Sequence, residues 1–386
     1  MKFGYFCNLT NTTHKPYTQV LDETRDIATY CDNTGWNSIW FTEHHLNHEG
    51  MDACPNPLMM SADIAARTKD IRIGQAANII TFWNPLRVAE DIAMLDHMSG
   101  GRIEVGLGRG VYGREAIHMN VEADLKDQGK NFRLFDESLQ IIKKAWTQEL
   151  FSHKGEFYTY PAPRFTWQHD MSPASPELVD MKTNELKQIG LVPRPLQTPH
   201  PPLWQVVDGH MSIDWAARNG LNTIMWIPTV KALKQRFEVY QKAKSEAENR
   251  DVPLGEGVCL VRDMFVADSM DEAEDKAAEG ILTYLRWIAH WRGLGNHMDP
   301  GEELPETPGK LDLLTYDFLH PRNLLFGTPD YVAGKIEELR DELNLQNLQV
   351  WSNFPGVPHE HVMKSVRMFT EQVMPRFVSD GMKLAG

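Results

Sequence analysis

Alternating strand-like and helix-like stretches along 386 residues predict an α/β fold, a (β/α)8 TIM barrel with insertions after strands 4–5 and after strand seven. Three observations carry that expectation. Short β-rich runs alternate with amphipathic runs from one end of the chain to the other. No internal repeat or Pro/Gly-rich domain linker interrupts them. No GxGxxG follows the first strand, which disfavours the alternative of an open doubly wound sheet. The chain, 1–386, is therefore expected to be one barrel domain, with insertions at about 150–201 and 291–323.

Lys2–Cys7 reads as the first strand. Thr18–Asp32 has helical periodicity, with Val20, Leu21, Ile27, Ala28 and Cys31 near one face. Ser38–Thr42 is the second strand, Asn56–Thr68 the second helix and Ile71–Ile80 the third strand. Leu86–Met98 begins just after Pro85 and stops at Ser99-Gly100-Gly101, a helix C-terminal signal. Arg102–Gly108 is strand four, and Asn131–Glu149 a long helix burying Leu134, Leu139, Ile142 and Trp146. Four such pairs in succession imply right-handed crossovers and a parallel sheet. Leu150–Pro201 then breaks the rhythm, with a hairpin expected near Phe157–Tyr160. A stretch of that length is usually functional or a cover. Leu203–Val207, Thr223–Ile227 and Val258–Val266 are strands five to seven, followed by helices at His210–Asn219, Val230–Ala247 and Met270–Leu285. After a second irregular stretch, Trp291–Asn323, come a helix at Thr328–Leu343, the eighth strand at Leu348–Phe354 and a last helix at His359–Phe377.

Composition bounds the function. The chain is 42% hydrophobic and 24% charged, an ordinary soluble balance. A net charge of -14 argues against a nucleic-acid or anionic-membrane surface, since both need clustered Lys and Arg. No apolar run is long enough to span a bilayer. The N-terminus reads straight into a strand rather than a signal peptide, and Cys7, Cys31, Cys54 and Cys259 have no CxxC spacing. Free thiols in a reducing cytoplasm are the expectation, with no metal site.

Chemistry is expected at the C-terminal ends of the strands. Strand two ends in Glu43-His44-His45, a carboxylate and two imidazoles for which a buried strand has no packing use. Side chains alternate along a strand, so at most one of His44 and His45 should face the mouth. That weakens a two-histidine metal site and suits a single acid–base histidine. Gly106-Leu107-Gly108-Arg109-Gly110 ends strand four, either as a turn with a solvated Arg or as an Arg aimed at an anion. Asp208-Gly209-His210-Met211-Ser212 precedes a helix, either as a plain N-cap or as a phosphate site. In the second case Asp208 would favour ligand hydroxyls over the phosphate, because two anions repel. Gly74-Gln75-Ala76-Ala77-Asn78 ends strand three with small side chains, for either tight barrel packing or clearance for a flat ring system against the backbone. Trp226, Trp291 and Trp351 are core residues or the walls of an apolar substrate pocket.

These motifs, in this order, resemble the bacterial luciferase-like family of flavin-dependent monooxygenases. The resemblance runs over nearly the whole chain and is densest in Ile39–His45, Asn56–Gly74, Arg87–Gly113 and Ala216–Gly220. Its most specific parts are Glu43-His44-His45, Asp96-His97-Met98-Ser99-Gly100-Gly101-Arg102 and Arg109-Gly110-Val111-Tyr112, with Gly327-Thr328-Pro329 opening a late helix. The resemblance implies a barrel that binds reduced FMN and transfers one atom of dioxygen through a flavin hydroperoxide. By position, His44 matches the catalytic histidine and Arg109 the ligand of the flavin phosphate. Asp208, Gly209 and Ser212 fall in the phosphate segment, and Ala76-Ala77 in the region of a non-proline cis peptide under the isoalloxazine. Asn84 and Gly209 depart from the family pattern, the first where many members have His, the second where they have a hydroxyl. The 291–323 insertion resembles a mobile lid. A separate flavin reductase, a small apolar substrate (ketone, aldehyde or terpene) and a homodimer or larger assembly are further implications. The alternatives are a deazaflavin-dependent dehydrogenase of the same superfamily, a non-catalytic flavin-binding paralogue and a metal-dependent hydrolase, the last lacking a coherent ligand set.

Overall fold

Near-continuous burial marks the strands as members of a closed, helix-covered sheet: all nine residues of Val258–Val266 and all four of Ser38–Phe41 are buried. In a computed structural model that describes residues 1–378 except 173, 307, 308 and 310, eight parallel strands close into a barrel. They are β1 (Lys2–Cys7), β2 (Ser38–Phe41), β3 (Arg72–Gln75), β4 (Ile103–Gly108), β5 (Leu203–Val206), β6 (Asn222–Trp226), β7 (Val258–Val266) and β8 (Asn347–Trp351). Each pairs with the next, and β8 pairs back onto β1, Lys2 opposite Asn347.

The helices follow the strands in the expected order: α1 (Tyr17–Asn33), α2 (Pro57–Ala65), α3 (Pro85–Met98), α4 (Gly113–Met119), α5 (Gln128–Thr147), α6 (His210–Arg218), α7 (Val230–Glu248), α8 (Met270–Arg292), α9 (Tyr316–Asn323), α10 (Pro329–Leu343) and α11 (His359–Met368). Their starts are chemically set. Asn56 accepts from Met59 N at α2, Asp127 from Lys130 N at α5, and Thr328 from Tyr331 N at α10. Asn84 accepts from Leu86 N and Arg87 N at α3 and donates to the Tyr160 hydroxyl, so a cap explains that departure from the family pattern.

Several expected boundaries are corrected. The third strand is not continuous over Ile71–Ile80: it stops at Gln75, the Ala76–Ala77 peptide is cis, and a two-residue strand at Asn78–Ile79 then pairs with β4. The helix after β7 does not end at Leu285 but runs to Arg292, because its buried face continues through Ile288 and Ala289. Trp291 is therefore helical, and the irregular stretch starts at Gly293. Within that stretch, α9 and a short strand at Leu324–Gly327, paired with the end of β7, carry no period in the sequence long enough to read. The last helix gives way after Met368 to a π-helical turn at Phe369–Val373. The expected hairpin is present as His153–Lys154 paired with Thr159–Tyr160.

Inside the barrel, Trp40 lies across Gly74, where a Cβ would fall 2.3 Å from the indole. Trp40 meets Trp204 edge-on at 5.6 Å and packs with Ala76, Ile224 and Val261. Those rings form a floor at mid-barrel. Below it, Arg72 pairs with Glu104, and Glu104 also accepts from Trp204 Nε1 at 2.7 Å. Above it the strands end in the loops that carry the site.

The closeness of β3 and β4 is testable. A Cβ at Gly106 would sit 1.7 Å from the Gln75 carbonyl oxygen, whereas Gly334, on an exposed face of α10, has nothing within 4 Å. In urea denaturation Gly106→Ala should lose about 1–3 kcal/mol. Gly334→Ala should gain about 0.5–1 kcal/mol.

Candidate active site

Glu43 is fully buried at the end of β2 and receives three donors: Ile79 N at 2.8 Å, Trp83 Nε1 at 2.7 Å and His45 Nε2 at 2.8 Å. The carboxylate thus fixes the segment after the cis peptide and turns His45 aside. His44, by strand alternation, faces the open cavity. Its Nδ1 lies 3.1 Å from Glu115 Oε1 and its Nε2 lies 3.6 Å from Asp52 Oδ2. Glu115 also accepts from the His45 backbone N–H at 2.8 Å, which anchors it. The Tyr112 ring covers the imidazole, 4.8 Å between centroids.

Burial alone would lower the His44 pKa, but the Asp52, Glu115 and Glu43 charges outweigh it and hold the imidazole above its ordinary value. Asp52 lies fully buried, and that burial pushes its carboxyl up to about 6 in spite of His44. Neither carboxylate was expected from the sequence. Both reach His44 from loops or short elements with no periodic signal.

Arg109, directly after β4, lines the same cavity. Its guanidinium lies over the Phe132 ring at 5.6 Å and donates to Asn131 Oδ1 at 3.4 Å. Asn131 Nδ2 in turn donates to the Arg109 carbonyl at 3.2 Å. Among the described residues no carboxylate pairs with this guanidinium, and burial lowers its pKa from the usual arginine value. The N-termini of α5, at Gln128 and Gly129, and of α6, from Gly209 to Ser212, open on the same space. Helix N-terminal N–H groups beside a guanidinium that pairs with no carboxylate among the described residues suit an anion. The Ser212 hydroxyl donates back to the Gly209 carbonyl at 2.8 Å.

The residues expected at the site converge. His44, Ala76, Ala77, Arg109, Asp208, Gly209 and Ser212 all line one cavity of about 1320 Å³ at the C-terminal ends of the strands. Asp208 is not free: Arg292, from the end of α8, donates to its Oδ2 at 2.7 Å. Trp226 and Trp351 line a smaller inner chamber of about 60 Å³ with Tyr112 and Tyr284. Trp291 lines neither cavity. It is 42% exposed and packs on the far side of Tyr112, 4.7 Å between centroids. Asp52, Glu115, Gln205 and Arg292 are the site residues that sequence reasoning missed; of the four, Gln205 alone lies within a strand and Arg292 alone at a helix end.

The inner chamber sets a pH dependence. Asp263, behind Trp226 and accepting its Nε1 at 3.1 Å, is pushed by burial from 3.8 up to about 7. The folded protein therefore binds this proton more tightly than the unfolded chain does, so its contribution to stability falls as pH rises from 3.8 to about 7. Asp52 adds the same sign between 3.8 and about 6. Denaturation midpoints should show this decline, and Asp263→Asn should flatten its upper part; an unchanged slope would remove the assignment.

Residues 1–344 match the model of the luciferase-like monooxygenase family. The oxygenase component of the flavin-dependent trigonelline monooxygenase of Acinetobacter baylyi is 25% identical over 384 residues, 98% of this chain and 96% of that protein. The 2,5-diketocamphane 1,2-monooxygenase 1 of Pseudomonas putida is 24% identical over 390 residues, covering 97% and 99%. Among solved structures, the oxygenating constituent of 3,6-diketocamphane monooxygenase from P. putida, in complex with FMN, superposes with a TM-score of 0.76 at 21% identity, over 98% of this chain and 99% of that one. The monooxygenase RslO1 of Streptomyces bottropensis does so with a TM-score of 0.76 at 22% identity, over 98% and 100%. Those two likenesses establish the barrel, and the family model, spanning residues 1–344 of the 386, establishes more: the chain belongs to the luciferase-like monooxygenase family.

Proposed function

We propose that the chain is the oxygenase component of a two-component system, taking reduced FMN from a separate flavin reductase and inserting one atom of dioxygen into a small organic substrate. The observation that carries this reading is that His44 and Arg109 line the same cavity.

The residues present fit FMN. Arg109 and the N–H groups of α5 and α6 would hold the phosphate. Asp208 Oδ1 and Gln205 Oε1 are buried acceptors without a partner on the cavity wall, suited to ribityl hydroxyls. The small side chains of Ala76 and Ala77 leave room for a flat ring against the β3 segment. When bound, reduced FMN supplies the electrons that activate dioxygen.

The protein's own part is proton handling and exclusion of water. His44, kept charged more readily than a free histidine, holds a proton at the cavity wall. Glu115 fixes its Nδ1, so the ring cannot turn away. Tyr112, backed by Trp287 at 5.0 Å and by Trp291, roofs that imidazole. The inner chamber beside His44 would take the substrate, with Trp226 and Trp351 as its walls. Trigonelline and the diketocamphanes differ too much for either to be carried over to this chain.

His44→Ala should leave FMN affinity nearly unchanged while slowing product formation by about 10²–10⁴; equal turnover would exclude the role. Arg109→Ala should weaken FMN by about 1.5–3 kcal/mol and riboflavin hardly at all. Equal loss for both would remove the phosphate assignment. A homodimer or larger assembly is proposed on the family resemblance, and a monomeric sedimentation coefficient at working concentration would contradict it.

A further inference from the structure

His44 meets a carboxylate at each ring nitrogen: Glu115 Oε1 lies 3.1 Å from Nδ1 and Asp52 Oδ2 lies 3.6 Å from Nε2. Asp52 has no exposed surface and lines neither cavity, so it can act on a bound ligand only through His44. Its carboxylate is held from behind. The Cys54 backbone N–H donates to Oδ1 at 3.2 Å. Asn8, with its amide nitrogen turned toward the carboxylate, donates as well, while its oxygen accepts from the Tyr284 hydroxyl at 3.0 Å. Those donors are neutral, and a buried carboxylate with neutral donors alone keeps an uncompensated charge. Among the described residues, His44 is the one group within ion-pair distance of Asp52 that can carry the opposite charge.

The hydrogen-bond pattern fixes where the protons sit. An ionised carboxylate only accepts, so Nδ1 must donate to Glu115. Glu115 is itself anchored by the His45 N–H at 2.8 Å. A neutral His44 would then turn its Nε2 lone pair on Asp52, setting two acceptors against each other. A proton at Nε2 removes the conflict. Turning the ring over would set carbon atoms against both carboxylates and gain nothing. The Tyr112 ring, 4.8 Å away between centroids, covers the imidazole in this orientation.

No neighbour could take over the charge of Asp52. Glu43 also acts on His44, but it is turned to Ile79 N, Trp83 Nε1 and His45 Nε2. Cys7, Cys54, Tyr17, Tyr112 and Tyr284 feel Asp52, and burial keeps all five neutral through the neutral range. Arg292, on the same cavity wall, is paired with Asp208. Asp52 itself takes up a proton below about 6, so its hold on His44 works from there upward.

We propose that Asp52 is a positioning residue that keeps the Nε2 proton on His44 across neutral pH, and so sets the alkaline limit of the work His44 does in the cavity. What that work is rests on the flavin reading above; the protonation of the ring does not.

The test is the titration of His44 in the full-length chain, followed by NMR of ring-13C histidine. Its signal is identified among the 15 histidines by its loss in His44→Gln. The wild-type midpoint should lie above the ordinary 6.5. In Asp52→Asn it should fall by about 1–3 pH units. A part for Asp52 in loop packing alone would leave the midpoint where it was. A folded Asp52→Asn protein with an unmoved midpoint would therefore overturn the proposal and give the effect to Glu115. So would a wild-type midpoint at or below 6.5. Where Asp52→Asn fails to fold, Asp52→Ser removes the same charge with a smaller side chain. FMN binding is read on the same wild-type sample by flavin fluorescence. Failure of FMN to bind would sink the cofactor reading, and the titration of the FMN-free protein would still decide this one.

Discussion

One buried carboxylate organises the mouth of this barrel. Glu43 accepts three hydrogen bonds, from Ile79 N, Trp83 Nε1 and His45 Nε2. A buried carboxylate is tolerated only where such donors replace water. Here the donors come from three places: the segment after the cis peptide, the turn before α3, and the next-but-one residue on its own chain. Satisfying Glu43 therefore joins β2 to the break in β3 and occupies His45. His44 is left as the imidazole that faces the cavity. The order of the tripeptide follows from this, since exchanging the carboxylate and the first histidine would turn the clamp into the cavity and the imidazole into the wall.

The cavity wall carries two unlike groups of residues. At one, carboxylates surround an imidazole and draw a proton to it. At the other, a guanidinium with no carboxylate partner among the described residues and two helix N-termini gather partial positive charge. A ligand with an anionic tail and a reactive head can lie in only one direction along such a gradient. The barrel makes this arrangement inexpensive in backbone order, because both ends are loops carried by strands already held rigid by closure.

The fold was legible because burial on both faces of a parallel sheet favours near-continuous apolar runs, and β7, buried over its entire length, departs from one only at Arg262 and Asp263. His44 and Arg109 could be singled out in the sequence because each follows a strand, and both line the one cavity. Asp52 and Glu115 were not. Glu115 is 71 residues from His44 in the chain and sits on a seven-residue helix, so only closure of the barrel brings them together. The break in β3 was hidden for a related reason: Ala76 and Ala77 are apolar and fit a strand pattern, while the backbone there answers to Glu43 and to the close approach of β4. Arg292 was hidden by a helix boundary. A reading that ends α8 at Leu285 puts Arg292 in a loop, whereas two further buried turns bring it to the junction of the cavities.

The segment Asp96–Arg102 shows how a strong family motif can lie far from the chemistry. Arg102 donates to the carbonyls of Ser99, Ala65, Ile71 and Thr68, and Asp96 accepts from the backbone and side chain of Gln197. Those bonds tie the ends of α2 and α3 to the start of β4 and to the long excursion that returns at β5. They sit at the opposite end of β4 from Arg109. A strand six residues long thus has its start fixed by a guanidinium bonded to four carbonyls and its end fixed by a guanidinium left open for an anion. The first arginine is held by four carbonyls from three segments of the chain. The phosphate role proposed for the second needs a strand that does not move beneath it, so the bonds at Arg102 would support that role from the far end of β4.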